Sequence, residues 1–111
     1  LGIYNLKDLE EIKRFGVAEI KNNKLINFEE KPENPKSTFA STGIYIFTKS
    51  DLNKIKEYIK TPNSKDGPGY LIKYLLPIQD IYTFKLSGLW YDIGTKETYE
   101  TVNREFESDL H

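Results

Sequence analysis

The sequence of 111 residues contains no cysteine and no methionine, and its single histidine, His111, is the last residue. Without cysteine there can be no disulfide framework and no thiolate metal site. A lone terminal histidine is also a poor candidate for acid–base catalysis. The sequence has no phosphate-binding glycine loop, nucleophile elbow or His/Cys ligand cluster. We therefore expect any chemistry to depend on carboxylates, amines and backbone groups.

Neither sign of charge dominates, because 16 basic residues face 17 acidic ones. Nucleic-acid binding domains usually show a clear basic excess, and membrane-surface helices are rich in Lys and Arg on one face. No apolar run approaches the roughly 20 residues needed to span a bilayer, and no signal-peptide pattern is visible. These features predict a cytoplasmic protein that binds neither nucleic acid nor a membrane.

The length suits one domain rather than two. A translated protein begins with methionine, whereas this sequence begins with an apolar stretch at residues 1–4. We expect residues 1–111 to form a single unit taken from a longer chain. Such a unit would expose apolar surface at residues 1–4 and 44–47, so homo-oligomers are possible.

The apolar pattern predicts an α/β fold with a mixed sheet, two hairpins and about three helices. Asn22 and Asn23 tolerate positive φ and are expected to join strands at 17–20 and 25–29. Ser87-Gly88 is expected to join a second pair at 81–86 and 89–93. The nearly continuous apolar run at 42–47 is typical of a central strand covered on both faces.

Short polar residues mark the expected helix starts. Ser50, Asp66 and Thr95 are the predicted N-caps of three helices, and Pro77 is expected to end the second. Residues 6–14 predict a short helical or irregular connection. The apolar faces of the three helices are expected to comprise Leu52, Ile55, Tyr58 and Ile59; Leu71, Ile72, Leu75 and Leu76; and Tyr99, Val102 and Phe106.

Glu30 is an unusual residue for its position. Strand alternation places it on the same face as Ile26 and Phe28, so the carboxylate lies either at a solvated strand end or in a cleft. Pattern alone favours the solvated strand end. Lys31 is expected on the opposite face, in an extended conformation because Pro32 follows it.

Asp92 stands at the predicted end of a strand and before a helix, where α/β folds keep ligand sites. The alternative is that it caps that helix, and one Asp is weak evidence for Mg²⁺, which needs further carboxylates or phosphates. Trp90 is more typical of packing than of ligand stacking. Gly16 fits either a turn or a ligand approaching the backbone.

Five sequence blocks occur in order: residues 14–20 (RFGVAEI), 28–32 (FEEKP), 35–37 (PKS), 40–47 (ASTGIYIF) and 88–95 (GLWYDIGT). They resemble the C-terminal half of the sugar-1-phosphate nucleotidyltransferases, which include glucose-1-phosphate thymidylyltransferase. The resemblance extends over residues 1–106. It implies the C-terminal part of a Rossmann-like domain and a Mg²⁺-dependent reaction. In that reaction a sugar 1-phosphate oxygen attacks the α-phosphorus of a nucleoside triphosphate, and pyrophosphate leaves.

The resemblance also implies roles for six residues in this sequence. Gly16, Glu30, Lys31, Ser41 and Trp90 would form the sugar-phosphate site, Lys31 and Asp92 would be catalytic, and Asp92 would bind Mg²⁺. Gly16 and Ser41 would act through their main chains. Thr38 stands where the family often has Asn, so it is left out of the site.

The family's glycine-rich N-terminal signature, which holds the triphosphate, is absent from this sequence. The resemblance therefore implies that residues 1–111 hold the sugar while another segment holds the nucleotide, so this chain alone should be inactive. Glucose 1-phosphate is the favoured sugar, and the other segment would choose the base. The alternative is a regulatory or scaffolding domain that has lost catalysis. That domain would tolerate loss of Glu30, Lys31 and Asp92, yet all three are present.

Overall fold

The computed structural model describes residues 1–62 and 67–109, with only the main chain of Asp109. The bounds of the five strands and three helices are β1 Gly2–Asn5, β2 Gly16–Lys21, β3 Lys24–Glu30, β4 Phe39–Ser41, β5 Phe84–Lys85, α1 Lys49–Ile59, α2 Pro68–Leu75 and α3 Lys96–Asp109. A 3₁₀ turn, Glu11–Arg14, precedes β2. Among the described residues the sheet order is β3-β2-β4-β1-β5, and the β1–β5 pair alone is parallel. The predicted α/β fold with a mixed sheet and three helices is confirmed.

The first predicted hairpin forms between β2 and β3. Asn22 and Asn23 have φ of 53° and 63°, the left-handed conformation that a two-residue hairpin turn requires. The register pairs Gly16 with Glu30, and a register shift lies beside Glu19 and Ile20. Because of that shift Ile26, expected on the core face, is 56% exposed, whereas Phe28 is buried.

The second predicted hairpin does not form among the described residues. The only strand in this region is β5, and residues 89–93 belong to no strand. The amides of Phe84 and Leu86 donate to the carbonyls of Leu1 and Ile3, at 3.1 and 2.9 Å. Strand β5 thus forms its backbone hydrogen bonds with the edge of β1, in parallel, and not with residues 89–93 as a hairpin would require.

The apolar run at 42–47 was expected to be a central strand, and this prediction is wrong. The strand in this part of the sheet, β4, ends at Ser41, and Gly43 follows with a φ of 79°. Among backbone bonds to β1, the amide of Gly2 still donates to the carbonyl of Ile44. No described strand lies beside residues 45–47, and the side chains of Ile44 and Ile46 are 46% and 79% exposed. An apolar run needs neighbouring strands on both sides before it can pair as a central strand.

The helix starts agree with the sequence only in part. Thr48, not Ser50, caps α1, through a capping box in which the amides of Asp51 and Thr48 donate to each other's side chains at 3.3 and 2.8 Å. Thr95 caps α3 as predicted, because its Oγ accepts from the amide of Thr98 at 3.1 Å. The predicted cap Asp66 lies outside the described residues. Over the described ranges, no helix has the length and apolar character needed to cross a membrane.

Two apolar clusters hold the sheet. The larger joins the sheet to α2 and includes Phe28, Ile72 and Leu75, and the smaller packs the 3₁₀ turn and Trp90 against Val17 and Ala40. The helix and the Trp90 loop therefore both converge on the region where β2 begins.

Candidate functional site

A cavity of about 520 Å³ opens at one end of the sheet. Antiparallel pairing brings the start of β2 and the ends of β3 and β4 to this end. The cavity is lined by all six predicted site residues, namely Gly16, Glu30, Lys31, Ser41, Trp90 and Asp92. The fold therefore brings these six residues, which lie up to 76 positions apart in the sequence, together in one cavity.

Glu30 lies in a cleft and is only partly exposed, so the pattern-based preference for a solvated strand end is wrong. A Cβ atom built on Gly16 would lie 3.2 Å from Oε2 of Glu30. Within residues 1–62 and 67–109, no side chain forms an ion pair or hydrogen bond with this carboxylate. Its oxygens are therefore available to accept hydrogen bonds from a ligand.

Lys31 departs from the extended conformation that Pro32 predicted. Its φ is +48°, in the left-handed region that costs a non-glycine residue about 1–2 kcal/mol. The backbone is held there because the Lys31 amide donates to the carbonyl of Phe15 at 3.0 Å. This twist interrupts strand alternation, so Lys31 and Glu30 line the same cavity although they are neighbours in sequence.

Trp90 holds the loop that carries Asp92. Its ring lies 5.5 Å from that of Tyr4 and 5.4 Å from that of Phe15, centroid to centroid. On the other side of the loop the Tyr91 hydroxyl donates to the carboxylate of Glu105 in α3. Asp92 itself is exposed at the cavity wall, and it lies in a loop rather than at the end of a strand.

The role of Asp92 as a helix cap is not supported, because Thr95 takes that position. Over the described ranges, no group of three or more His, Cys, Asp or Glu side chains is placed to hold a metal. Mg²⁺ keeps several waters and often takes only one or two protein carboxylates, together with substrate phosphates. The described residues of this cavity therefore fit Mg²⁺ as a shared site, in which Asp92 would be one ligand and phosphate oxygens of a substrate would be others.

The sequence interpretation missed several residues that line the cavity. Arg14 and Phe15 directly precede Gly16 in the first block, so their position was a usable signal. Gly69 and Tyr70 come from the start of α2, and only the fold brings them to Glu30. Residues that line the cavity and were not predicted are Arg14, Phe15, Phe28, Thr42, Gly43, Tyr45, Gly67, Pro68, Gly69 and Tyr70.

The mixed sheet and its helices form an α/β domain with a nucleotidyltransferase fold. The sequence model of the nucleotidyl transferase family matches residues 2–109, and the chain belongs to that family.

The chain is also similar to a solved structure, a 2.76 Å crystal structure of a Bacillus anthracis protein described as a glucose-1-phosphate thymidylyltransferase and bound to sucrose. The TM-score is 0.76 and the identity 32% over 94% of this chain. The match covers 41% of the B. anthracis chain, so this chain spans less than half the length of that relative.

Proposed function

We propose that this chain is the sugar-binding part of a nucleotidyltransferase that joins a nucleoside triphosphate to glucose 1-phosphate, giving a nucleotide sugar and pyrophosphate. The proposal is carried by one observation, the cavity that gathers Gly16, Glu30, Lys31, Ser41, Trp90 and Asp92. Membership of the nucleotidyl transferase family supports it.

The sugar ring is placed beside Gly16, where the missing side chain lets a ligand approach the backbone. The free oxygens of Glu30 accept hydrogen bonds from sugar hydroxyls, and a charged acceptor makes such bonds stronger than a neutral one. The main chain of Ser41 completes this side of the cavity. The sugar is thus held by an acceptor that selects hydroxyl groups.

Lys31 is placed to neutralise the phosphate of the sugar 1-phosphate. Holding the phosphate in one position aligns its oxygen for attack, and alignment together with charge neutralisation supplies most of the catalysis in phosphoryl transfer. Asp92 would supply one carboxylate ligand to Mg²⁺, and the bound ion would neutralise phosphate charge. Trp90 holds the loop so that Asp92 stays at the cavity wall.

We further propose that residues 1–111 do not turn over alone. The sequence contains no glycine-rich loop to hold a triphosphate, and the chain spans 41% of the relative it matches. The apolar side chains of Ile44, Ile46 and Phe47 are 46%, 79% and 37% exposed, as expected of a surface on which another segment packs. That segment would hold the nucleotide.

The binding proposal is tested by titrating the chain with glucose 1-phosphate in a calorimeter. Glu30→Gln removes the charged acceptor and is expected to weaken binding about 10- to 100-fold, because hydrogen bonds to charged groups contribute about 1.5–3 kcal/mol. Glu29→Gln is the matched control, since this adjacent carboxylate interacts with Asn27 and Lys36 and does not line the cavity. Equal losses in the two variants, or no binding by the wild type, would contradict the proposal.

The turnover proposal needs a separate measurement. The wild-type chain is incubated with Mg²⁺, a nucleoside triphosphate and glucose 1-phosphate, and pyrophosphate is measured. No release is expected. Clear release would show that the chain holds the triphosphate itself.

A further inference from the structure

The Glu30 carboxylate occupies a slot between two glycines from different elements. On one side is Gly16 at the start of β2, and on the other is Gly69, the second residue of α2. A Cβ atom built on Gly69 would overlap Oε2 of Glu30 and lie 3.2 Å from both its Cδ and the Cε1 of Phe28. Real Cβ atoms do not approach so closely, so a side chain at position 69 would require the Glu30 carboxylate, the end of a flexible side chain, to move from its present position.

Gly69 is required for space and not for backbone conformation. Its φ lies outside the positive range, whereas Gly67 before it has a φ of 123°. Helices prefer alanine to glycine, by about 1 kcal/mol at an interior position. The buried Gly69 therefore works against the local preference of α2, and the contact with Glu30 accounts for it.

The start of α2 also suits a carboxylate electrostatically. The first amides of a helix have no partner within the helix, and this end carries a partial positive charge that favours a nearby anion. Pro68 stands at the first helical position, where its missing amide costs nothing. The helix start is thus a compact neighbour that Glu30 can approach only because residue 69 lacks a side chain.

We propose that Gly69 is a positioning residue that keeps the Glu30 carboxylate turned into the cavity. The inference rests on the proposed function in one respect, namely that Glu30 accepts hydrogen bonds from the sugar. Gly69 acts through Glu30 and not through contact with the ligand. The size of residue 69 thereby controls the affinity for sugar hydroxyls.

The variant that tests this is Gly69→Ala. Its affinity for glucose 1-phosphate is expected to fall about 10- to 100-fold, the range expected when a charged hydrogen-bond acceptor is lost. Gly94→Ala is the matched control, because a Cβ there would meet nothing within 4 Å and Gly94 does not line the cavity. Retention of wild-type affinity by Gly69→Ala would overturn the proposal.

A double-mutant cycle separates positioning from a general structural role. In the Glu30→Ala background, Gly69→Ala should cause no further loss of affinity, since the group it displaces is already gone. An equal loss in both backgrounds would overturn the proposal. Should Gly69→Ala fail to fold, the double variant is expected to fold because the overlap is removed, and its failure would likewise count against the proposal.

An NMR measurement without ligand keeps this test independent of the proposed function. The side-chain carboxyl carbon signal of Glu30 should shift in Gly69→Ala and stay in place in Gly94→Ala. If wild type binds no glucose 1-phosphate, the proposed function fails, and this signal alone decides the role of Gly69. A shifted signal supports the positioning role, and an unmoved one overturns it.

Discussion

The ring of Tyr4 packs against that of Trp90 at 5.5 Å between centroids, tilted by 40°. The Tyr4 hydroxyl also donates a hydrogen bond of 2.6 Å to the carbonyl of Gly88, two residues before Trp90. Strand β1 therefore fixes both the backbone and the aromatic anchor of the loop that carries Asp92. The position of Asp92 depends on residues more than 80 positions earlier in the chain.

Trp90→Ala is expected to destabilise the chain by about 2–3 kcal/mol, since a fully buried Trp costs about 3–5 kcal/mol to truncate and Trp90 is partly exposed. The loss follows from its contacts with Tyr4, Phe15 and the smaller apolar cluster. Urea unfolding measures it. Tyr99→Ala serves as the control because that ring is 58% exposed, and its free energy of unfolding should change little. Equal losses in the two variants would refute the anchoring role.

Lys31→Gly is expected to leave stability unchanged or raise it by up to about 1.5 kcal/mol. Glycine adopts a left-handed φ without strain, which stabilises the folded state by about 1–2 kcal/mol. The greater conformational freedom of glycine in the unfolded state offsets about 0.5–1 kcal/mol of this gain. Binding of glucose 1-phosphate should weaken at the same time, because the cation is lost. Thermal unfolding and calorimetric titration measure the two effects, and a large loss of stability would show that the strain account is wrong.

Asp92→Asn should remove a weak divalent metal site in the presence of glucose 1-phosphate. With Mn²⁺ in place of Mg²⁺, paramagnetic broadening of NMR signals is expected around Asp92 in the wild type and not in the variant. Glu97→Gln is the control, since that carboxylate is exposed in the first turn of α3 and does not line the cavity. Broadening that survives in Asp92→Asn would place the metal elsewhere.

Thr48→Ala is expected to cost about 1 kcal/mol of stability, the usual effect of losing an N-cap side chain. Ser50→Ala should cost much less, because Ser50 lies inside α1 and is not its cap. Chemical unfolding of both variants distinguishes the two candidate caps. A larger loss of stability in Ser50→Ala than in Thr48→Ala would show that Ser50 is the N-cap, as the sequence predicted.

The capping box also gives α1 a pH dependence. The hydrogen bond from the Thr48 amide lowers the pKa of Asp51 below its ordinary value of 3.8. A carboxylate with a lowered pKa contributes stability that is fully present above 3.8 and is lost as the pH falls through the folded-state pKa. Below about pH 4, the free energy of unfolding should fall less steeply with decreasing pH in Asp51→Asn than in the wild type. The same slope in both proteins would show that Asp51 makes no such contribution.

Local signals in the sequence were sufficient where one residue decides the conformation. The hairpin at Asn22-Asn23 and the cap at Thr95 were both predicted because their side chains or φ values act within a few residues. Residues 42–47 were misassigned because hydrophobicity does not say whether neighbouring strands run alongside. The start of α1 was displaced by two residues because two hydroxyl side chains compete for one cap.

The candidate site was predicted through ordered blocks, and all six residues do line one cavity. The left-handed Lys31 and the contact between Glu30 and Gly69 could not be predicted. The first is imposed by a backbone bond to Phe15, and the second joins two elements that are distant in the sequence. Both depend on tertiary packing, which outweighs local preference.

The Asn22-Asn23 turn lies at the opposite end of the hairpin from the cavity, six strand residues away from Glu30, about 20 Å at the usual rise per residue. In a strand a slip of one residue moves every side chain to the other face. The face that Glu30 occupies is therefore set far from the cavity, by this turn together with the register shift beside Glu19 and Ile20. A further slip of one residue there would turn Glu30 away from the cavity, although nothing near the cavity had been altered.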